Sequence, residues 1–173
     1  GSACGTDLRL PQVKGKKTME NQAESQRDAQ ASRQFLAGRG VFTVEEFARH
    51  IGGARSIARA RARLGYYVAQ GRVRLVVGGV YVADPAGGDA HGFHPDPFVV
   101  AAAVRPDGVF CHHSALDLMG QAHSVFYTVT LYTSHRRSPI KLGRYRIVFL
   151  AHPPTMMQGP AGALERDQLL LRW

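Results

Sequence analysis

Four arginines, Arg55, Arg59, Arg61 and Arg63, stand among alanines in ARSIARARARLGYY (residues 54–67), a stretch without a single acid. Planar guanidinium groups suit phosphate oxygens and the guanine edge in a DNA major groove. Wound at about 100° per residue, Arg55, Arg59, Arg63, Tyr66 and the small Ala62 share one side of a helix. Ile57, Ala60, Leu64, Tyr67 and Val68 share the opposite side. The spacing predicts a buried apolar stripe and a basic face turned to something anionic, with Arg55, Ser56, Arg59 and Arg63 entering a major groove. Arg61 falls off that face and is expected as a flanking phosphate contact. Arg72 and Arg74 alternate with Val73 and Leu75, so both point to one face of a short strand. They are expected to hold phosphates, the alternative being edge-strand protection by charge. Arg136, Arg137, Lys141, Arg144 and Arg146 gather farther on. They either extend the phosphate track or keep an edge strand soluble, and both readings stand.

Other chemistry is weakly signalled. His112 and His113 are adjacent, so on a strand they face opposite sides, and no HExxH or HxH pattern accompanies them. Ser114 lacks a GxSxG setting and reads better as a helix cap than as a nucleophile. A nuclease site would need clustered carboxylates near a lysine. Asp107 opens such a pattern, yet the residue two before Lys141 is Pro139. No metal, cofactor or catalytic residue is expected. Cys4 and Cys111 are the only cysteines, which leaves no disulfide framework or CxxC site and suits a reducing cytosol.

The formal net charge of +9 is concentrated. Residues 33–82 hold nine arginines against two acids, while the flanking blocks are almost balanced. Such a block favours nucleic acid over a neutral partner. The longest apolar run, Val99 to Val104, is far short of the ~20 residues of a membrane span, so a cytoplasmic protein is expected.

The elements that would position these residues follow from punctuation and period. Residues 1–26 read as a flexible leader, with Gly1 and Ser2 a tag remnant and Met19 a natural start. Residues 27–83 read as helix, short strand, helix, glycine turn, helix and hairpin. Thr43 and Glu46 form a capping box, and Gly78–Gly79 suit a two-residue hairpin turn. That order predicts a winged helix-turn-helix whose third helix reads DNA. Residues 84–95, rich in Pro and Gly, read as a linker. Residues 96–173 read as a small mixed α/β domain. Within it, Asp96 and Pro97 open a helix, and Val125–Thr133 and Tyr145–Leu150 are strands pairing across a basic loop. Ala163–Trp173 is a terminal helix that stops abruptly, as though the natural chain continues. The fold class expected is α+β.

Three stretches, FTVEEFARHIG, GRVRLVVGGVYVAD and PFVVAAAVRPDGVFCHHSALDLMG, occur in this order within residues 34–125. With them the chain resembles the AbiE-type (AbiEi-like) antitoxins, transcriptional regulators of type IV toxin–antitoxin (abortive infection) systems. The resemblance implies a repressor that binds repeats in its own promoter, as a homodimer on DNA, and a second domain that counters a nucleotidyltransferase-like toxin. The competing class is a basic protein-interaction module that binds an acidic partner without DNA sequence specificity. A histidine-based enzyme comes third. Because the charge and the helices lie in the first half, a fragment ending near Ala90 is expected to bind DNA alone.

Overall fold

The computed structural model describes residues 14–52, 57–153 and 162–173, which build an α+β protein of five helices and three sheets. Helix α1 spans Lys14–Gly38 and so begins inside the segment read as a flexible leader. Lys, Glu, Gln, Ala and Arg are strong helix formers, and they sustain a helix that shows no apolar period before Phe35 and Leu36. Strand β1 (Val41–Thr43) leads into α2 (Val44–Gly52). The capping box forms: Glu46 N donates to Thr43 Oγ1 at 3.2 Å, and Thr43 N donates to Glu46 Oε2 at 2.8 Å.

Helix α3 (Ile57–Ala69) buries Ala60, Leu64 and Tyr67 as the stripe predicts. Val68 does not follow; it is exposed. It sits about 100° round the helix from Tyr67, and in the last turn only one of the two can face the core. Strands β2 (Val73–Val77) and β3 (Val80–Ala83) then pair through Gly78 and Gly79, whose φ values of +33° and +88° favour glycine. With β1 they form an antiparallel sheet in the order β1-β3-β2.

This sheet is buried on both faces. Phe42, Val73 and Ala83 join Phe35, Phe47, Ile51 and Leu64 under the three helices. The alternate residues Val41, Val80 and Val82 belong to a second cluster, with Phe98, Val100, Leu131, Ile147 and Leu171. The two halves of the chain therefore share a core. The connection between them is packed as well: Ala90 is fully buried, and its N–H donates to Gly71 O at 2.8 Å.

Helix α4 (Pro97–Val104) starts as its sequence predicts, with Asp96 Oδ1 accepting from Phe98 N at 2.8 Å. Strand β4 (Val109–Phe110) and helix α5 (His113–Leu118) follow. Ser114 is not the cap. His112 holds that position, and the Ser114 hydroxyl accepts from Thr130 N, tying α5 to the neighbouring strand. Strands β5 (Thr128–Thr133) and β7 (Tyr145–Ala151) are adjacent but parallel, because the basic segment between them is itself strand β6 (Arg137–Leu142). The sheet order is β4-β5-β7-β6, so β6 is an edge. Its charges and Pro139, which mimic a loop in sequence, are what an edge strand tolerates, and the register slips between Arg137 and Ile140, around that proline.

The terminal segment is a hairpin rather than a helix: β8 (Ala163–Arg166) pairs with β9 (Leu169–Arg172). Ala, Leu, Glu and Arg favour a helix locally, but tertiary contacts override that preference. Leu171 is fully buried, and the turn reaches back to the start of the first sheet. There Asp167 Oδ2 accepts from Val41 N at 2.9 Å, and Gln168 Oε1 accepts from Arg39 at 2.7 and 3.0 Å.

Asp107, in the turn after α4, accepts from Arg105 and from the Ser134 backbone and hydroxyl. The Arg105 hydrogen bond holds its carboxyl well below the usual carboxylate range. A depressed carboxylate contributes stability above its unfolded pKa of about 4, lost as pH falls below it. Asp107→Asn should therefore reduce the drop in Tm between pH 6 and pH 3.5, measured by circular dichroism. An unchanged drop would show that the turn adds nothing to acid stability.

Candidate nucleic-acid interface

Helix α3 reaches the surface because its buried side is short. Ala60, Leu64 and Tyr67 seat it on the first core, and Ala58, Arg59, Arg61, Ala62, Gly65 and Tyr66 are left exposed. Arg63 is half-buried at the margin. The exposed neighbours of the arginines, Ala58, Ala62 and Gly65, carry only a methyl group or hydrogen, so another molecule can come close to the helix backbone. Arg55 and Ser56, the first two expected contacts, lie outside the described residues.

The arginines are not equivalent. Arg59 Nη2 lies 2.6 Å from Asp28 Oδ2 of α1, an ion pair that sequence reasoning missed. Asp28 is buried, and the guanidinium remains about half exposed at 52%. Its signal was an acid one helical turn before Ser32, on the side of α1 that leads to Phe35 and Leu36. Arg61 and Arg63 have no ion-pair or hydrogen-bond partner among the described residues. Asp28→Asn should strengthen binding to a random DNA duplex a few-fold, because it removes a negative charge beside the arginine face. A fluorescence-anisotropy titration reads this, and weaker binding would mean that the pair holds Arg59 in its working position.

At the hairpin the two arginines separate. Arg72 is exposed, its guanidinium carbon 5.8 Å from the Tyr67 ring centroid. Arg74 is turned to the chain itself: its Nε donates to Ala90 O at 3.2 Å and its Nη2 to Phe93 O at 3.3 Å. Both sit at the base of the hairpin, and the Gly78–Gly79 tip is tied down by Val44 N, which donates to Gly79 O at 3.0 Å. Arg74 thus has a structural role that competes with the phosphate contact expected of it.

The second basic group lies along the β6–β7 edge. Arg136, Arg137, Lys141, Arg144 and Arg146 are all exposed, and none has an acidic partner among the described residues. Lys141 and Arg146 face each other across the strands, and Arg137 approaches the Gly78 turn. Like charges directly opposite are destabilising, so edge protection alone does not account for that pair.

Compared with protein-family models and with curated proteins, the chain matches none. Its reading therefore rests on its own residues. Among those described, no helix is long and apolar enough to cross a membrane, and no three His, Cys, Asp or Glu side chains are grouped to hold a metal ion. Cys111 is buried, and loss of solvent pushes its thiol up to about 11, so it stays protonated at neutral pH. In a Cys4→Ser background, Cys111 should resist alkylation at pH 8 until denaturant is added. Rapid labelling of the folded chain would contradict that burial.

Proposed function

We propose that the protein is a sequence-specific double-stranded DNA-binding transcriptional repressor, with residues 27–83 acting as a winged helix-turn-helix and α3 as its reading helix. The observation that carries this reading is the surface of α3, where Arg61 is exposed and Arg63 half-buried, neither has an ion-pair or hydrogen-bond partner among the described residues, and Ala62 between them is small. A solvated helix face mixes signs, whereas α3 carries no acid along its length. Three helices followed by a hairpin, with strand order β1-β3-β2, support the same assignment. Arg63, with Arg55, Ser56 and Arg59, contacts bases; Arg61, Tyr66 and Arg72 contact the backbone; Arg136, Arg137, Lys141 and Arg146 add phosphates.

By its resemblance to the AbiE-type antitoxins, the repressor binds repeats in its own promoter as a homodimer in the cytoplasm. Residues 96–173 then act against a nucleotidyltransferase-like toxin. Phosphate-led binding is tested by salt. If about five arginines neutralise phosphates, log affinity for duplex DNA should fall against log salt with a slope of about −4 to −5. A slope near zero would remove the basis of the proposal.

A further inference from the structure

Between the packed 84–96 connection and the β6–β7 turn lies a cleft of about 590 Å³. Sites for small organic ligands occupy roughly 300–1,000 Å³. Its chemistry is one-sided: Arg74, His91, His94, Arg144 and Tyr145 line it with Leu142, and among the described residues no carboxylate does. Arg74 is held in place by the carbonyls of Ala90 and Phe93, which engage Nε and Nη2 and leave Nη1 without a partner among the described residues. Arg144 is oriented by aromatic rings instead. Its guanidinium carbon lies 4.9 Å from the centroid of Tyr127 and 5.7 Å from that of Tyr145.

A cationic or neutral ligand finds little to complement it here; an anion meets two oriented guanidinium groups and two imidazoles. Guanidinium groups match phosphate oxygens in geometry as well as in charge. Tyr145 and the Arg144 plane add surfaces on which a planar ring can stack. We propose that this cleft binds a small phosphate monoester carrying a planar ring, of mononucleotide size. The inference does not depend on the DNA-binding reading. The same phosphate chemistry could come from the backbone of a bound duplex, so the experiment separates the two sources.

Adenosine 5′-monophosphate, adenosine and inorganic phosphate are titrated into the full chain by isothermal titration calorimetry at low salt, with and without a saturating short random duplex. The nucleotide should bind at least about tenfold more tightly than adenosine, and more tightly than inorganic phosphate, because charge and ring both contribute. Arg144→Gln should lower that affinity at least about tenfold while leaving Tm unchanged, since Arg144 is exposed. If Arg144→Gln lowers Tm, His94→Gln, at an exposed position of the cleft, decides instead through a several-fold loss. Nucleotide binding no tighter than adenosine binding, affinity unaffected by the deciding variant, or displacement by the duplex would each overturn the proposal. The last would assign the cleft to the DNA backbone.

Discussion

A chain cut after Ala90 should fail to fold as a stable unit, although it retains α1 to β3 and most of the excess charge. The cut removes α4 and β9 and uncovers Val41, Val80 and Val82, each now under 5% exposed. Burying a valine contributes about 1.5–3 kcal/mol, so full exposure of the three costs up to about 5–9 kcal/mol. That is comparable with the entire 5–15 kcal/mol stability of a small domain. The cut also removes Asp167 from Val41 N and Gln168 from Arg39, leaving the edge of β1 without its acceptors. The expectation of an autonomous DNA-binding fragment, drawn from charge and element order, gives way to this packing. Thermal unfolding followed by circular dichroism should show no cooperative transition for residues 14–90. A sharp transition within a few degrees of the full chain would mean that the shared core contributes little.

The second large effect concerns the arginines of α3. Arg63→Ala should weaken binding to the cognate promoter by roughly 1–3 kcal/mol, with a smaller loss on random duplex, if it reads a base. Arg61→Ala should weaken both equally and reduce the salt slope by about one, as a phosphate contact does. Arg59→Ala should cost less than Arg63→Ala, because the Arg59 charge is already shared with Asp28. Anisotropy titrations on both duplexes separate these cases. Equal losses for Arg63→Ala on the two DNAs would demote Arg63 to a backbone contact.

What was legible in the sequence was local. The Thr43–Glu46 capping box, the Gly78–Gly79 turn and the Asp96–Pro97 helix start carry their geometry in neighbouring residues, and each stands where it was expected. The strands and the tail were harder. The basic segment 134–144 contains a proline and four cations, the composition of a loop, and only its place at a sheet edge makes it β6. The tail LERDQLLLRW lacks a glycine turn; Asp167 and Gln168 adopt positive φ, held by contacts to Arg39 and Val41 more than 120 residues away. A local window cannot contain such contacts. The shared core did leave a trace, since VYVA is apolar without a break, the pattern of a strand buried on both faces. For the basic face, spacing alone placed Arg59 and Arg63 on one side of α3, but the buried Asp28 that engages Arg59 comes from a helix whose packing the sequence does not display.

The most direct test of the DNA-reading assignment is a single competition. The full chain is bound to a fluorescent duplex taken from upstream of its own gene and titrated with unlabelled duplex of the same sequence or of shuffled sequence. A specific reader should require on the order of a thousandfold more shuffled DNA to release the probe at physiological salt. Release by equal concentrations of the two would contradict sequence-specific recognition and leave α3 as a basic surface for some other anion.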